Sequence, residues 1–263
     1  MRFPLITLTS DFGLADGYVG AMKGVILSIA PAAALVDLTH QIPPQDVRAG
    51  AYALSQAAGE FPAGTVHLAV VDPGVGGPRR ALAVRARGCL WVGPDNGLFT
   101  HVLGDPAAAA EARQLSHTGL ARPDMSATFH GRDLFAPAAA HLASGFPFAE
   151  VGPPVTDPVR LAAPQPRRDG ADLIGEVVHV DGFGNLITNL PAAMLDALPG
   201  RPTVRVEADT VVAGLSATYG SVPDGDVVAL IGSGGLLEIG VNGGSAADTL
   251  RLGRGSLVTV HPL

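Results

Sequence analysis

TVHLAVVDPGVGGPRR, residues 65–80, is a run of apolar residues that stops on an acid and returns two arginines. Thr65–Val71 is short, valine-rich and bounded by breakers, which reads as a buried strand. Asp72 then opens a loop of glycine and proline, and a guanidinium comes back seven residues later at Arg79. Two readings are open at this point. Asp, Pro and Gly each favour turns for separate reasons, so the loop is a plain turn. Alternatively, it folds Asp72 and Arg79 back onto one site.

Upstream, PLITLTS (4–10) and ALVDLT (34–39) read as two further strands. Between them Tyr18, Met22, Val25, Ile26 and Ile29 follow the spacing of one helix face, with Lys23 off it. Residues 46–58 suit a second helix after the HQIPPQ loop. This strand–helix rhythm predicts an α/β domain over 1–157 with a mainly parallel sheet in three layers. LAVRA (82–86) and LWVG (90–93) add strands, and LFAPAAAHLAS (134–144) a later helix. Residues 153–170 hold five prolines and little periodicity, which places a Pro-rich linker at 158–171. Beyond it the pattern changes. LIGEVVHV, PTVRVEA, VVALIG, LLEIGVN and LVTVH are short strand-like runs between turns, predicting an all-β, barrel-like domain over 172–263. No internal repeat is visible.

With 263 residues, 47% of them hydrophobic, the chain affords a sizeable core. A formal charge of −7 and a single lysine, Lys23, leave no basic stripe for nucleic acid. The start, MRFPLITLTSDF, is too short and too soon acidic for a secretory leader. No apolar run reaches the ~20 residues of a membrane span. A cytoplasmic protein is the expectation. The lone Cys89 lies in the apolar run GCLWVG and reads as an inert buried thiol.

Ligands of open α/β sheets sit beyond the carboxyl ends of the strands. Ser10-Asp11, Thr39-His40 and Asp72 all fall there. Asp11 has two readings: a helix cap, or a carboxylate that accepts two hydrogen bonds from a vicinal diol such as a ribose. In ATFHGRDLF (127–135), His130 stands beside Gly131, where a ligand has room to approach, and Asp133 reads as a cap for the helix from Leu134. VDGFGNLITN (180–189) is ordinary turn chemistry apart from Phe183. An exposed ring there can stack on a flat base, with Asn185 hydrogen-bonding that base and Asp181 pairing with an ammonium. The glycine-rich stretch IGSGGLLEIGVNGG (231–244) around Ser233 does not fit G-x-x-x-x-G-K-[ST]. It is either a tight turn or a nest of backbone N–H groups for a carboxylate. The acids and histidines form no close metal motif such as H-E-x-x-H, so no metal is expected.

TSDFG, HQIPPQDV, VVDPGVGGPRR, PDNGLF, TFHGRD, DGFGNLITN and GSGGLLEIGVNGGSA occur in that order along nearly the whole chain. In this ordered set the sequence resembles the S-adenosyl-L-methionine (SAM) hydroxide adenosyltransferases, or SAM hydrolases, relatives of the SAM-dependent fluorinases and chlorinases. The resemblance implies an α/β domain followed by a β-barrel-like domain. It also implies a homotrimer with each site between the N-terminal domain of one subunit and the C-terminal domain of its neighbour. It implies that Asp72, Arg79 and His130 handle a water-derived nucleophile and that Asp11 holds the ribose hydroxyls. Asp181 and Ser233 would take the methionine end, and Phe183 and Asn185 the adenine side, helped by the backbone near Val241 and Asn242. SAM would be the substrate, adenosine and L-methionine the products, and no cofactor would be needed. The halogenating relatives carry an aromatic and a hydroxyl residue at the positions of Asp72 and Val75, and a serine at that of Gly131. Some carry an arginine where Gly234 stands. The water-using branch therefore fits better. The alternatives are a chlorinase, a metal-dependent hydrolase built on the Asp/His set, and a non-catalytic adenosyl-binding module.

Overall fold

The computed structural model describes residues 4–104, 110–198, 202–207 and 210–262. Met1, Arg2 and Phe3, at the start of the stretch read as no leader, and Ala208, at the end of PTVRVEA, lie outside them. The chain separates into two compact units, Met1–Leu161 and Ala162–Leu263.

The first unit runs β1 (Leu5–Ser10), α1 (Tyr18–Ile29), β2 (Ala34–Thr39), α2 (Val47–Ala57), β3 (Val66–Val70), β4 (Ala81–Ala86), β5 (Cys89–Pro94), α3 (Thr100–Leu103), β6 (Glu111–Gln114), α4 (Ala136–Ala143) and β7 (Pro154–Val155). Its seven strands lie in the order β2-β1-β3-β5-β4-β6-β7. Pairs β1–β2, β1–β3 and β3–β5 are parallel, and β4–β5, β4–β6 and β6–β7 are antiparallel. The sheet is therefore mixed rather than mainly parallel. The reason lies between β4 and β5. Arg87 and Gly88 both have positive φ, 54° and 74°, which is the two-residue hairpin turn that matches strand twist. So short a connection forces the antiparallel arrangement.

Strand β3 is buried along its whole length because it feeds two cores. Val66, Leu68 and Val70 pack with Ile6 and Leu8 of β1, Met22 and Ile26 of α1, and the alanines of α4. Ala69 and its successor Val71 pack with Trp91 of β5, Leu54 of α2, and Val102 and Leu103 of α3. The spacing of buried Val19, Met22 and Ile26 is that of one helix face. Pro31, just past α1, disfavours helical backbone at Ala30. Asp46 caps α2 by accepting from Ala49 N at 3.0 Å. A methyl at Gly50 would stand 3.0 Å from both Val71 Cγ2 and Leu98 Cδ1, so that glycine lets α2 lie close on the sheet.

The parallel register aligns the ends of three strands. Ser10 pairs with Val70, and Thr9 with Thr39. Asp11, His40 and Asp72 consequently follow the carboxyl ends of three neighbouring parallel strands.

The second unit comprises β8 (Arg167–Asp169), β9 (Asp172–Val180), β10 (Leu186–Pro191), α5 (Ala192–Asp196), β11 (Thr203–Val206), β12 (Thr210–Ala213), β13 (Val227–Ile231), β14 (Leu236–Val241), α6 (Ala246–Leu250) and β15 (Leu257–His261). Its strands follow the order β12-β11-β15-β9-β10-β14-β13, with β8 on β9. Beyond β12, Ser216 bridges to Leu230 on β13, so the two edges approach each other and the sheet is nearly barrel-shaped. Two five-residue helices qualify the expectation of an all-β unit. Within the stretch read as a linker, Arg167–Asp169 pairs antiparallel with β9.

Candidate active site

Strand β3 delivers Asp72, and the loop that follows folds back on it. Asp72 O accepts from Val75 N at 3.2 Å, Gly74 O accepts from Gly77 N at 3.0 Å, and Gly76 has φ 75°. Arg79 Nε lies 3.0 Å from each Asp72 oxygen, and Arg79 Nη2 donates to Oδ2 as well. The two side chains are 4% and 11% exposed, so this is a forked, mostly desolvated pair rather than a surface contact. The backbone makes the turn, and across it the side chains of Asp72 and Arg79 meet.

The same Arg79 Nη2 also stands 2.8 Å from His130 Nδ1. A guanidinium only donates, so Nδ1 accepts and the ring proton sits on Nε2. Burial holds the His130 pKa below its usual value, and the Arg79 charge lowers it further against the opposing pull of Asp72 and Asp133. His130 is therefore neutral, with an N–H on the side away from the arginine. Phe135 lies under the guanidinium, 5.3 Å from ring to Cζ.

Two glycines set the approach of these loops. A Cβ on Gly76 would stand 2.4 Å from Ala127 O, three residues before His130. A Cβ on Gly131 would meet Met22 Sδ at 3.1 Å and the Phe12 ring at 3.4 Å. Phe12, Tyr18 and Phe129 form an edge-to-face cluster with centroids 5.3–6.0 Å apart.

Asp133 is not a helix cap. It lies in a π-helical turn, Gly131–Phe135, that runs into α4. Fully buried, it accepts from Ser126 N at 2.9 Å and from the guanidinium groups of Arg132 and Arg122. Hydrogen bonding from Arg132 holds its carboxyl below the usual range. A capping role fails because π geometry carries the helix back past residue 133.

Asp11 is not a cap either: α1 starts at Tyr18 with Gly17 before it and no side-chain cap. Its Oδ2 accepts from Gln45 N at 2.8 Å, and Gln45 holds a left-handed φ of 67°. Among the described residues no hydrogen bond joins Asp11 to the trio, but its neighbour Phe12 lies against Gly131.

In the second unit Asp181, Phe183 and Asn185 come together at the turn from β9 to β10. Asp181 Oδ1 accepts from the backbone N of Phe183 and of Asn185, both at 2.9 Å, and Oδ2 from Asn185 Nδ2 at 3.0 Å. Asn185 is buried, while the Phe183 ring is 81% exposed, available to a flat partner. Ser233 is exposed in the turn between β13 and β14. Val241 ends β14, and Asn242 Nδ2 is used on Val222 O at 2.8 Å. No bond links Ser233 to Asp181 among the described residues.

Sequence reasoning passed over Glu238 and Tyr219. Glu238 is 6% exposed between Leu237 and Ile239. It accepts from Tyr219 O–H, and Gly232 leaves room for its carboxylate. Burial raises the carboxyl pKa, and burial with the Glu238 bond pushes the tyrosine to about 12. A single acid inside an apolar strand was the available signal. Asn96, whose Nδ2 donates to Val71 O at 2.8 Å, was also missed; it ties the PDNG loop to the end of β3.

The order of motifs agrees with what comparison with known proteins shows. Residues 6–152 match the model of the SAM hydroxide adenosyltransferase N-terminal domain, and residues 175–259 that of the C-terminal domain. The chain belongs to the SAM hydroxide adenosyltransferase family. A protein from Salinispora tropica named (R)-S-adenosyl-L-methionine hydrolase is 43% identical, over 98% of this chain and 97% of that one. A protein named Fluorinase, from an Actinoplanes species, is 32% identical over 98% of this chain and 97% of that one. A crystal structure of an uncharacterized conserved protein from Thermotoga maritima superposes with a TM-score of 0.89, at 36% identity, over 97% of this chain and 99% of that one. Among the described residues of this family member, no helix is long and apolar enough to cross a membrane, and no three His, Cys, Asp or Glu are grouped to hold a metal ion.

Proposed function

We propose that the chain hydrolyses SAM to adenosine and L-methionine, with water-derived oxygen attacking the ribose 5′ carbon. The observation that carries the reading is the single nitrogen, Arg79 Nη2, shared between Asp72 and His130. The departing group is a neutral thioether and needs neither an acid nor a metal. What the reaction lacks in water is a nucleophile. The guanidinium is a permanent positive charge, and with the substrate sulfonium beside it the site favours hydroxide over water. In this reading, His130 offers its Nε2–H to the attacking oxygen and so orients a lone pair. Asp72 is the anion of the trio and the acceptor for the water proton, which then leaves to solvent. The balance is SAM cation plus water to adenosine, methionine zwitterion and a proton. Because the attack destroys charge, a dry pocket favours it, and in-line positioning of oxygen, carbon and sulfur contributes several kcal/mol more.

Asp11 holds the ribose diol in this scheme, and Asp181 and Ser233 hold the amino-acid end. Phe183 and Asn185 hold the adenine, with the Val241–Asn242 backbone beside them. Helices on both faces of the first unit's sheet make three layers in this reading. The oligomeric part of the proposal is a homotrimer in which a neighbouring subunit's second unit completes each pocket. It rests on the family resemblance, as does a cytoplasmic location, and sedimentation reads the trimer directly.

Incubation with SAM in oxygen-18 water tests the chemistry. Label is expected at the 5′ oxygen of adenosine, with release of methionine and of a proton. Unlabelled adenosine, or intact SAM, overturns the proposal. Added chloride yielding 5′-chloro-5′-deoxyadenosine would instead select the halogenating branch.

A further inference from the structure

The loop that carries Asp11 is gripped by a buried histidine for which the proposed reaction has no use. His40 follows β2 and is 3% exposed. Its Nδ1 lies 2.7 Å from Ser10 Oγ, and its carbonyl accepts from Gly13 N at 2.8 Å. Ser10 Oγ accepts in turn from Phe12 N at 3.3 Å. Both ends of the segment 10–13 are thus fixed by one residue, with Asp11 between them. We propose that His40 is a positioning residue, which through Ser10 and Gly13 aims the free oxygen of Asp11 at the ribose diol of the substrate. This rests on the reading of Asp11 as the diol acceptor.

The hydrogen-bond roles are consistent along the chain of contacts. The Ser10 hydroxyl receives the Phe12 N–H and, in the proposed tautomer, donates its own proton to His40 Nδ1. The imidazole then carries its proton on Nε2, which lies 3.0 Å from the Asp37 Oδ1 acceptor although not lined up as a hydrogen bond. The other Asp37 oxygen takes Lys23 Nζ, the chain's sole lysine, at 2.6 Å. A surface ion pair therefore braces a buried ring, and the ring braces the loop. With Gln45 N on Oδ2, Asp11 keeps Oδ1 for a ligand. A carboxylate can bridge two adjacent hydroxyls only if its plane is held, so loosening the loop should weaken recognition of the diol more than binding of the base.

The test is calorimetric binding of adenosine and 2′-deoxyadenosine to wild type, His40→Ala, His40→Asn and Ser10→Ala, beside KM and kcat for SAM. Wild type should prefer adenosine by about tenfold or more, the usual scale for a hydrogen bond to a charged group. His40→Ala should lose most of that preference with the affinity for 2′-deoxyadenosine nearly unchanged, and its KM for SAM should rise about tenfold while kcat stays within about threefold. His40→Asn, whose amide oxygen can still accept from Ser10, should recover most of the preference. Ser10→Ala deletes only the hydroxyl and should reproduce the loss even if His40→Ala folds poorly. An unchanged preference in Ser10→Ala and His40→Ala, or an equal loss for both nucleosides, overturns the proposal. If wild type discriminates between the nucleosides but leaves SAM intact, the hydrolase reading fails and this one stands.

Discussion

Replacing Gly76 by alanine should separate the two halves of the proposed catalytic trio, Asp72, Arg79 and His130. The new methyl would stand 2.4 Å from Ala127 O, whereas carbon–oxygen contacts ordinarily begin near ~3.3 Å. The Asp72–Arg79 loop and the His130 loop must therefore part by about 1 Å. Taken up along the Arg79–His130 contact, now 2.8 Å, that shift would break the hydrogen bond. Alanine at φ 75° adds about 1–2 kcal/mol of backbone strain, and the overpacking about 1–3 kcal/mol more. A misplacement of this size in a reacting group lowers rate by about 100-fold. Initial-rate measurement of adenosine release should show kcat down by that factor, with KM changed by only a few-fold because the groups assigned to adenosyl binding lie elsewhere. Gly24→Ala is the control. It adds a methyl with nothing within 4 Å in the middle of α1, so it should leave kcat alone and stabilise by about 0.5–1 kcal/mol. A Gly76→Ala enzyme with wild-type kcat and melting temperature would refute the claim that the two loops must touch.

Arg79→Lys keeps the charge but loses the fork that reaches Asp72 and His130 together, so kcat should fall by roughly 100-fold while SAM binding, followed by calorimetry, stays within a few-fold. His67 makes stability depend on pH. Its ring is fully buried, stacked 4.2 Å from Trp91 and bonded to Thr7 Oγ1 at 2.7 Å. Burial lowers its pKa from 6.5 to about 4. The unfolded chain thus binds the proton first. The contribution is complete above pH 6.5 and is lost as pH falls towards about 4, in total about 3 kcal/mol at about 1.4 kcal/mol per pH unit. Urea titrations should show that slope in wild type and a flatter one in His67→Phe; equal slopes would remove His67 as the cause. Asp133→Ala strips the acceptor from Ser126 N and two arginines, and denaturation should register a loss of about 1–3 kcal/mol, with no loss meaning that solvent replaces the carboxylate.

Much of the fold was legible because strands β1 to β3 are short apolar runs that end on polar residues, and α1 repeats buried side chains at helical spacing. The hairpin of β4 and β5 was legible as two strands but not as an antiparallel pair. Its turn sets an arginine, not an asparagine or aspartate, at the first left-handed position, and arginine carries no turn signal. Asp72 and Arg79 stood out because a breaker-rich loop separates them. That they share His130 depends on the Gly76–Ala127 contact, a feature of tertiary packing with no local trace. Asp133 was misread because an acid before an apolar alanine-rich run looks like a cap until the backbone is seen to continue as a π turn. Asp181, Phe183 and Asn185 were legible as a group, since the tight turn that contains them leaves few other partners within reach.

Strand β3 has no idle face. Its odd and even side chains enter different cores, so a slip of one residue would exchange every occupant of both, and it would also carry Asp72 about 3.3 Å along the strand axis. Misalignment here cannot be silent. A molecule that turns over substrate at the full rate has, by doing so, certified that its central strand is correctly seated, which makes catalysis a finer gauge of correct folding for this chain than its helix content.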